Sequence, residues 1–253
     1  MKKRNLLIML AAIVLASCTD SSNNQPKEEE HATEHKHQED KEHGHHKEGK
    51  HGHNHANKHM HQNDVKDLIQ SFESEDRAAT QKPYEVIALF GDLADKKILD
   101  IGSGSGYFTF KLAEKGANVI AGDVSDEFHD YIRQKMKEND ISAEKIDIRK
   151  LPYDSPSLSP EEIDGAIIVN TYHHIEDRVA YFGKVKKGLT SDGMLMVVDF
   201  MKKKFKEGVD GPPFEMRLPS SVVITELEKA GFGKIEVDDT LLPYQYIVKA
   251  WKN

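Results

Sequence analysis

Ile98-Leu99-Asp100-Ile101-Gly102-Ser103-Gly104-Ser105-Gly106-Tyr107-Phe108 is the stretch on which the reading of this chain turns. An apolar, β-branched run stops at three alternating glycines, and a helical pattern starts directly after them. Glycine lacks a Cβ, so such a turn lets backbone press against a ligand, and the helix that follows presents free amides in its first turn. Dinucleotide-binding sheets use the same strand, glycine turn and helix, with G-x-G-x-x-G spacing. Here the third glycine, Gly106, comes one position early, which disfavours an NAD-dependent oxidoreductase.

Outward from this turn the pattern alternates. Lys97 to Ile101 reads as a strand and Tyr107 to Lys115 as a helix; Asn118 to Gly122, Glu127 to Asn139 and Lys145 to Lys150 continue as strand, helix and strand. Ile163 to Asn170 is strand-like, Arg178 to Leu189 helical, Met194 to Phe200 strand-like and Ser220 to Ala230 helical. Upstream, Val65 to Phe72 and Pro83 to Phe90 are helical, the second opening on a proline suited to a first turn. The order implies an α/β fold, a Rossmann-like doubly wound sheet that is mostly parallel and covered on both faces. Lys234 to Val237 and Gln245 to Trp251 have no helix between them, so they should form an antiparallel hairpin at one edge.

Asp100 and the three glycines together spell D-x-G-x-G-x-G. This resembles motif I of class I S-adenosylmethionine-dependent methyltransferases, which marks Asp100, Gly102, Ser103, Gly104, Gly106 and Tyr107 as cofactor residues. Asn118-Val119-Ile120-Ala121-Gly122-Asp123 resembles the second strand of that family, whose terminal acid accepts hydrogen bonds from both ribose hydroxyls. A carboxylate with two acceptor oxygens fits a vicinal diol, so Asp123, with Val124 beside it, is the ribose candidate. Asp123 as a helix N-cap stays open, although Ser125 or Asp126 can serve there instead. Ile163 to Asn170, Leu189-Thr190-Ser191-Asp192-Gly193-Met194-Leu195 and Ala230-Gly231-Phe232 resemble later parts of the family pattern, and Asn170 joins the cofactor set. Asp154 and Asp147 both suit the position that meets the adenine amine, with Asp154 preferred. The resemblance implies in-line displacement at the sulfonium methyl, where positioning and exclusion of water supply most of the rate.

Val169-Asn170-Thr171-Tyr172-His173-His174-Ile175-Glu176-Asp177-Arg178 lies at the carboxyl end of the fourth strand, the edge where such sheets bind ligands. It looks like the histidine-pair stretch of a subgroup of exported bacterial methyltransferases, as does Gly211-Pro212-Pro213-Phe214-Glu215-Met216-Arg217, a proline-stiffened loop placed to cover an acceptor. Tyr172, His173 and His174 are the catalytic candidates. Either imidazole can deprotonate an acceptor near neutral pH, and either can instead cap a helix or pack against the cofactor. A metal pair is disfavoured because adjacent side chains diverge.

The first 62 residues have a different character. Met1-Lys2-Lys3-Arg4, the apolar run Leu6 to Leu15 and Ala16-Ser17-Cys18 have the charge, length and small residues of an export signal, too short to span a membrane. Leu15-Ala16-Ser17-Cys18 resembles a bacterial lipobox, which makes residues 1–17 a lipoprotein signal peptide and Cys18, the only cysteine, the lipidated N-terminus holding the protein to a membrane. An ordinary cleaved signal followed by a chance cysteine is the other reading. Residues 18–62 have almost no apolar side chains to offset ordering entropy and are expected to be a disordered tether. They hold eleven of the fourteen histidines. His35, His37, His43, His45, His51, His53, His55, His59 and His61 are spaced so that two imidazoles can meet one ion, giving capacity for zinc or nickel; a plain solvated spacer is the other reading. Residues 63–253 form the expected single domain. Lys, Arg, Asp and Glu balance at nine of each sign up to Gln62, so the net charge of −8 belongs to that domain. An acidic domain repels phosphate backbones, which argues for a small-molecule acceptor over nucleic acid. A metal-handling lipoprotein with a non-catalytic binding module is the competing function, and the oligomeric state is not encoded in any readable pattern.

Overall fold

The computed structural model describes residues 65–206, 208–209 and 211–253. The expectations for Cys18, for the nine metal-candidate histidines named above and for the boundary after Gln62 fall outside the described residues.

Three short helices come first: α1 (Val65–Phe72), α2 (Glu75–Gln81) and α3 (Pro83–Ala88). α2 escapes a periodicity reading because its sequence, EDRAATQ, carries no apolar stripe. Its ends define it instead. The Ser74 hydroxyl accepts the Arg77 amide at 3.3 Å as an N-cap. Pro83 disfavours the right-handed helical region for the residue before it, and Lys82 takes φ 42°, which ends α2 and lets α3 begin on the proline.

The alternation that follows is β1 (Lys97–Ile101), α4 (Tyr107–Glu114), β2 (Asn118–Asp123), α5 (Asp126–Glu138), β3 (Ile146–Lys150), β4 (Ile163–Val169), α6 (Arg178–Gly188) and β5 (Leu189–Phe200). α7 (Ser220–Lys229), β6 (Ile235–Asp238) and β7 (Gln245–Trp251) complete it. The seven strands form one sheet in the order β3-β2-β1-β4-β5-β7-β6. β1 to β5 run parallel, and β7 is antiparallel to both β5 and β6. This is the expected Rossmann-like sheet with its antiparallel C-terminal edge. One boundary differs. β5 starts at Leu189, not Met194, because Leu189 pairs with Ile163 ahead of a register shift between Ile163 and Gly165. The shift absorbs the extra residues on β5, so a segment that reads as a turn lengthens the strand.

Strand alternation sends successive side chains to opposite faces. Ile98, Val119 and Ile167 pack with Val86 of α3, Leu112 of α4 and Ile132 of α5. Leu99, Ile120 and Ile168 pack on the other face with Phe182 of α6 and Leu227 of α7. Burial on both faces explains why these strands read as continuous apolar runs. Because β2 and β4 flank β1 on opposite sides, the winding reverses at β1, and the connections after β1 and β4 diverge around a crevice at the carboxyl edge.

Candidate functional site

That crevice is a cavity of about 1760 Å3, lined by the loops after β1, β3, β4 and β5, by the end of β2 and by residues of α1 and α2. A pocket for one small ligand occupies roughly 300–1,000 Å3, so there is room for two. Gly102 and Gly104 have φ of 72° and 52°, a region that side chains with a Cβ rarely enter. At Gly102 a Cβ would sit 2.5 Å from the Thr171 side chain, so this glycine is what lets the loops after β1 and β4 close on each other. The Gly102 and Ser103 amides both donate to the Gly122 carbonyl, at 2.8 and 3.1 Å, which ties the loop to β2.

Asp123, at the end of β2, is 7% exposed. Gly104 donates its amide to Oδ2 and Ser125 its amide to Oδ1, each at 2.9 Å. Burial pushes the carboxyl pKa up, and the Gly104, Ser125 and Val124 amides work against that shift. Asp123 is not the N-cap of α5: the Ser125 hydroxyl accepts the Phe128 amide. A carboxylate offers about four acceptor positions, so two remain for a diol. The side-chain oxygen of Ser103, beside it on the cavity wall, is buried without a hydrogen-bond partner. A turn that only glycine fits, a buried carboxylate with spare acceptors and an orphaned hydroxyl suit the sugar and amino-acid parts of a nucleoside sulfonium.

Gly102, Ser103, Gly104, Asp123, Val124, Asp154, Asn170, His173 and His174 line the cavity; Asp100, Gly106, Tyr107 and Tyr172 do not. Asp100 instead accepts the Thr109 hydroxyl at 2.7 Å, fastening α4 to β1. Burial raises its pKa to about 6 despite that bond. Gly106 is the left-handed cap of α4, where a Cβ would lie 2.8 Å from the Phe110 ring. Tyr107 is held under the Arg77 guanidinium at 4.5 Å and the Lys111 ammonium at 3.6 Å. These residues shape the loop from behind. Tyr172, a catalytic candidate from the sequence, lies away from the cavity: it is fully buried, stacks on Phe182 at 4.7 Å and donates its hydroxyl to Glu226 at 2.9 Å. Between the two adenine candidates, Asp147 is paired with Arg149 at 2.9 Å on β3, and Asp154 is the one on the cavity.

At the carboxyl end of β4, Asn170 adopts φ 56° and accepts the Gln245 amide at 2.6 Å, a strained exit that asparagine tolerates better than most residues. The short 3-10 turn Tyr172–His174 follows. His173 Nδ1 lies 3.1 and 3.0 Å from the two carboxylate oxygens of Asp199. Asp199 is 0% exposed at the end of β5 and also accepts the Phe200 amide at 2.7 Å. The His174 ring lies 4.4 Å from that of His173, and its Nδ1 is buried with no hydrogen-bond partner. Burial, then the neighbouring His173, hold the His174 pKa down to about 4, with Asp199 opposing. Phe200, Tyr244, Pro212, Pro213 and Met216 give this part of the cavity apolar walls. Arg217 staples the loop there, donating to the Pro212 carbonyl at 2.7 Å and the Lys203 carbonyl at 2.9 Å. Asp199 was not singled out in the sequence; the available signal was one acid within the otherwise apolar run Met194 to Phe200. Arg77, another cavity residue, sits in the helix that periodicity missed. Among the described residues no three His, Cys, Asp or Glu side chains are grouped to hold a metal ion.

Residues 99–197 match the family model described as a methyltransferase domain. An uncharacterized methyltransferase of Staphylococcus carnosus is 29% identical over 128 residues, 49% of this chain and 57% of that protein. A cypemycin N-terminal methyltransferase of a Streptomyces species is 40% identical over 63 residues, 25% of this chain and 26% of its own length. The chain thus spans little more than half, or less, of the length of these relatives. In structure, an S-adenosylmethionine-dependent methyltransferase from Aquifex aeolicus superposes with a TM-score of 0.66 at 22% identity, covering 76% of this chain and 100% of that one. The glycine turn, the acid ending β2 and the sheet order agree with these likenesses: residues 99–197 are similar to a methyltransferase domain, and the fold is one that S-adenosylmethionine-dependent methyltransferases adopt.

Proposed function

We propose that the protein transfers a methyl group from S-adenosylmethionine to a small-molecule acceptor, and that it does so outside the cytoplasm as a membrane-anchored lipoprotein. The observation that carries the first part is the juxtaposition of the Gly102–Gly104 turn and the buried Asp123 carboxylate on a cavity with room for two ligands. In this reading Asp123 takes the ribose hydroxyls, Val124 and Asp154 meet the adenine, and Gly102, Ser103, Gly104 and Asn170 border the amino-acid part and the sulfur. The bound sulfonium supplies an already activated methyl group. What the chain contributes is alignment of the acceptor and exclusion of water, through the apolar walls around Phe200 and Pro212. The acidic net charge of −8 supports a small acceptor over a nucleic acid.

Anchoring and export rest on Leu15-Ala16-Ser17-Cys18 and the apolar run before it. The histidines between His35 and His61 add capacity for zinc or nickel on a tether separate from the methyl-transfer site. Those same histidines favour a second reading, a metal-handling lipoprotein whose methyltransferase-like domain only binds. Calorimetry on the purified chain with S-adenosylmethionine, NAD and zinc, followed by an assay for S-adenosylhomocysteine release over an acceptor panel, separates the readings. Saturable binding of S-adenosylmethionine without NAD binding, plus turnover, is the expected result. Zinc binding with neither S-adenosylmethionine binding nor turnover favours the second reading.

A further inference from the structure

Directly after β5 the chain reads Lys202-Lys203-Lys204-Phe205-Lys206, four cations in five residues of a domain whose net charge is −8. From Lys202 to Arg217 there are five cations against three acids, Glu207, Asp210 and Glu215, so the acidic surplus lies elsewhere on the domain. Lys203, Lys204 and Lys206 are exposed, and Lys202 is half-buried. Among the described residues none of the four is in an ion pair. Like charges this close repel one another, and an anionic surface laid against them removes that cost.

The lysines are held in place. Phe205 packs back onto the fold, its ring 6.1 Å from that of Phe200 and 5.2 Å from that of Tyr244, with the Arg217 guanidinium 4.3 Å above it. Arg217 is itself buried, and its bonds to the Pro212 and Lys203 carbonyls tie the lysine run to the proline loop. Lys202 donates to the Glu215 carbonyl at 3.2 Å and lies over the Phe214 ring at 4.6 Å. Phe214 is 40% exposed, a large apolar side chain left at the surface. Phe200, Tyr244, Pro212 and Pro213, to which this layer is fastened, line the cavity at its His173 and His174 end.

Lysines beside an exposed aromatic ring fit a surface that is anionic at its face and apolar just beneath, because each ammonium adds attraction while the ring enters the headgroup layer. The acids on the remainder of the domain are screened beyond about 8 Å at physiological salt. A single nucleic acid strand would need an open ring face on which to stack its bases, and Lys202 covers that of Phe214. The lipobox resemblance of Leu15 to Cys18 implies a membrane within reach. We propose that Lys202, Lys203, Lys204, Lys206 and Phe214 form a docking surface for an anionic phospholipid bilayer, which turns the histidine end of the cavity toward the headgroups. This contact is separate from lipid on Cys18 and from the methyl donor: an anchor keeps the chain at the membrane, and the lysines orient the domain on it.

The test is co-sedimentation of the full chain with vesicles of phosphatidylcholine alone and of phosphatidylcholine and phosphatidylglycerol in equal parts. The N-terminal segment is common to every protein compared, so its own affinity for lipid drops out of the differences. Lys202→Gln/Lys203→Gln/Lys204→Gln/Lys206→Gln should bind the mixed vesicles at least about tenfold more weakly than the wild type, with a gap that closes in high salt, and should bind the neutral vesicles equally well. The same charge change on other exposed lysines, Lys115→Gln/Lys137→Gln/Lys187→Gln/Lys229→Gln, should leave binding as in the wild type. Lys204→Gln/Lys206→Gln removes no contact among the described residues; it stands in if the fourfold variant does not fold, and should weaken binding at least about fivefold. Affinity for S-adenosylmethionine should be the same in all of these proteins. Equal binding of mixed vesicles by the wild type and the lysine variants, an equal loss in the control variant, or tighter binding of the wild type to oligothymidylate than to mixed vesicles each overturns the proposal. A changed affinity for S-adenosylmethionine would put these lysines in the methyl-donor site and overturn it too.

Discussion

At Gly102 and Gly104 two residues of one type do different work, and substitution should separate them. Gly102→Ala puts a Cβ 2.5 Å from Thr171 at φ 72°. Left-handed strain alone costs about 1–3 kcal/mol, and the contact adds to it, so the melting temperature should fall by several degrees. Gly104→Ala carries the same left-handed strain at φ 52°, but its Cβ meets only the edge of Phe72, at 3.3 Å, so it should cost the fold less than Gly102→Ala while weakening S-adenosylmethionine binding. Thermal unfolding and calorimetry on both variants check the division; equal effects on both properties would refute it. Protonation offers a second residue-scale test. His174 has a folded pKa near 4 against about 6.5 unfolded, so its contribution is present above pH 6.5 and lost as pH falls toward 4. Asp100 is raised to about 6 from 3.8; its contribution is full below pH 3.8 and lost as pH rises through 6. The two slopes oppose each other between roughly pH 6 and 4.5. His174→Gln should therefore make stability rise, relative to wild type, on acidification through this window, and Asp100→Asn should make it fall. Urea midpoints at both ends of the window are the measurement, and shifts of the same sign in the two variants would rule the account out.

At the scale of elements, α7 is fixed to the histidine-bearing segment through one carboxylate. Glu226 accepts the Tyr172 hydroxyl and two donors of Arg178, at 2.7 and 2.9 Å. Glu226→Ala leaves a buried hydroxyl and a guanidinium without their partner, which should cost about 1.5–3 kcal/mol and lower the melting temperature without changing S-adenosylmethionine affinity. An unchanged melting temperature would show that the contact adds nothing. Tyr172 also illustrates what the sequence made legible. The strands declared themselves because burial on both faces demands apolar runs, and the glycine turn and Asp123 declared themselves because their chemistry is local. α2 did not, since its stability lies in Ser74 and Pro83 rather than in a stripe. Whether Tyr172 or His173 faces the cavity depends on the pitch of one 3-10 turn, and periodicity does not resolve that. Asp199 meets His173 across 26 residues of sequence, a pairing set by the alignment of β4 with β5.

On the scale of the whole molecule, the residues up to Gln62 carry balanced charge and the remainder carries the net −8, so tether and domain are expected to act independently. If Cys18 carries lipid, Cys18→Ser should move the protein from the detergent phase to the aqueous phase in phase separation, since acyl chains supply the affinity for the membrane; unchanged partitioning would remove the anchor. Methyl transfer by the detergent-solubilised protein should be the same before and after the substitution. The most direct measurement is the affinity of wild type and Asp123→Ala for S-adenosylmethionine by calorimetry. A charge-assisted pair of hydrogen bonds to the ribose predicts saturable binding by the wild type and a loss of roughly 1.5–3 kcal/mol, about 10- to 150-fold, in the variant. No binding by the wild type, or equal affinity in the two proteins, would contradict the assignment of this cavity to the methyl donor.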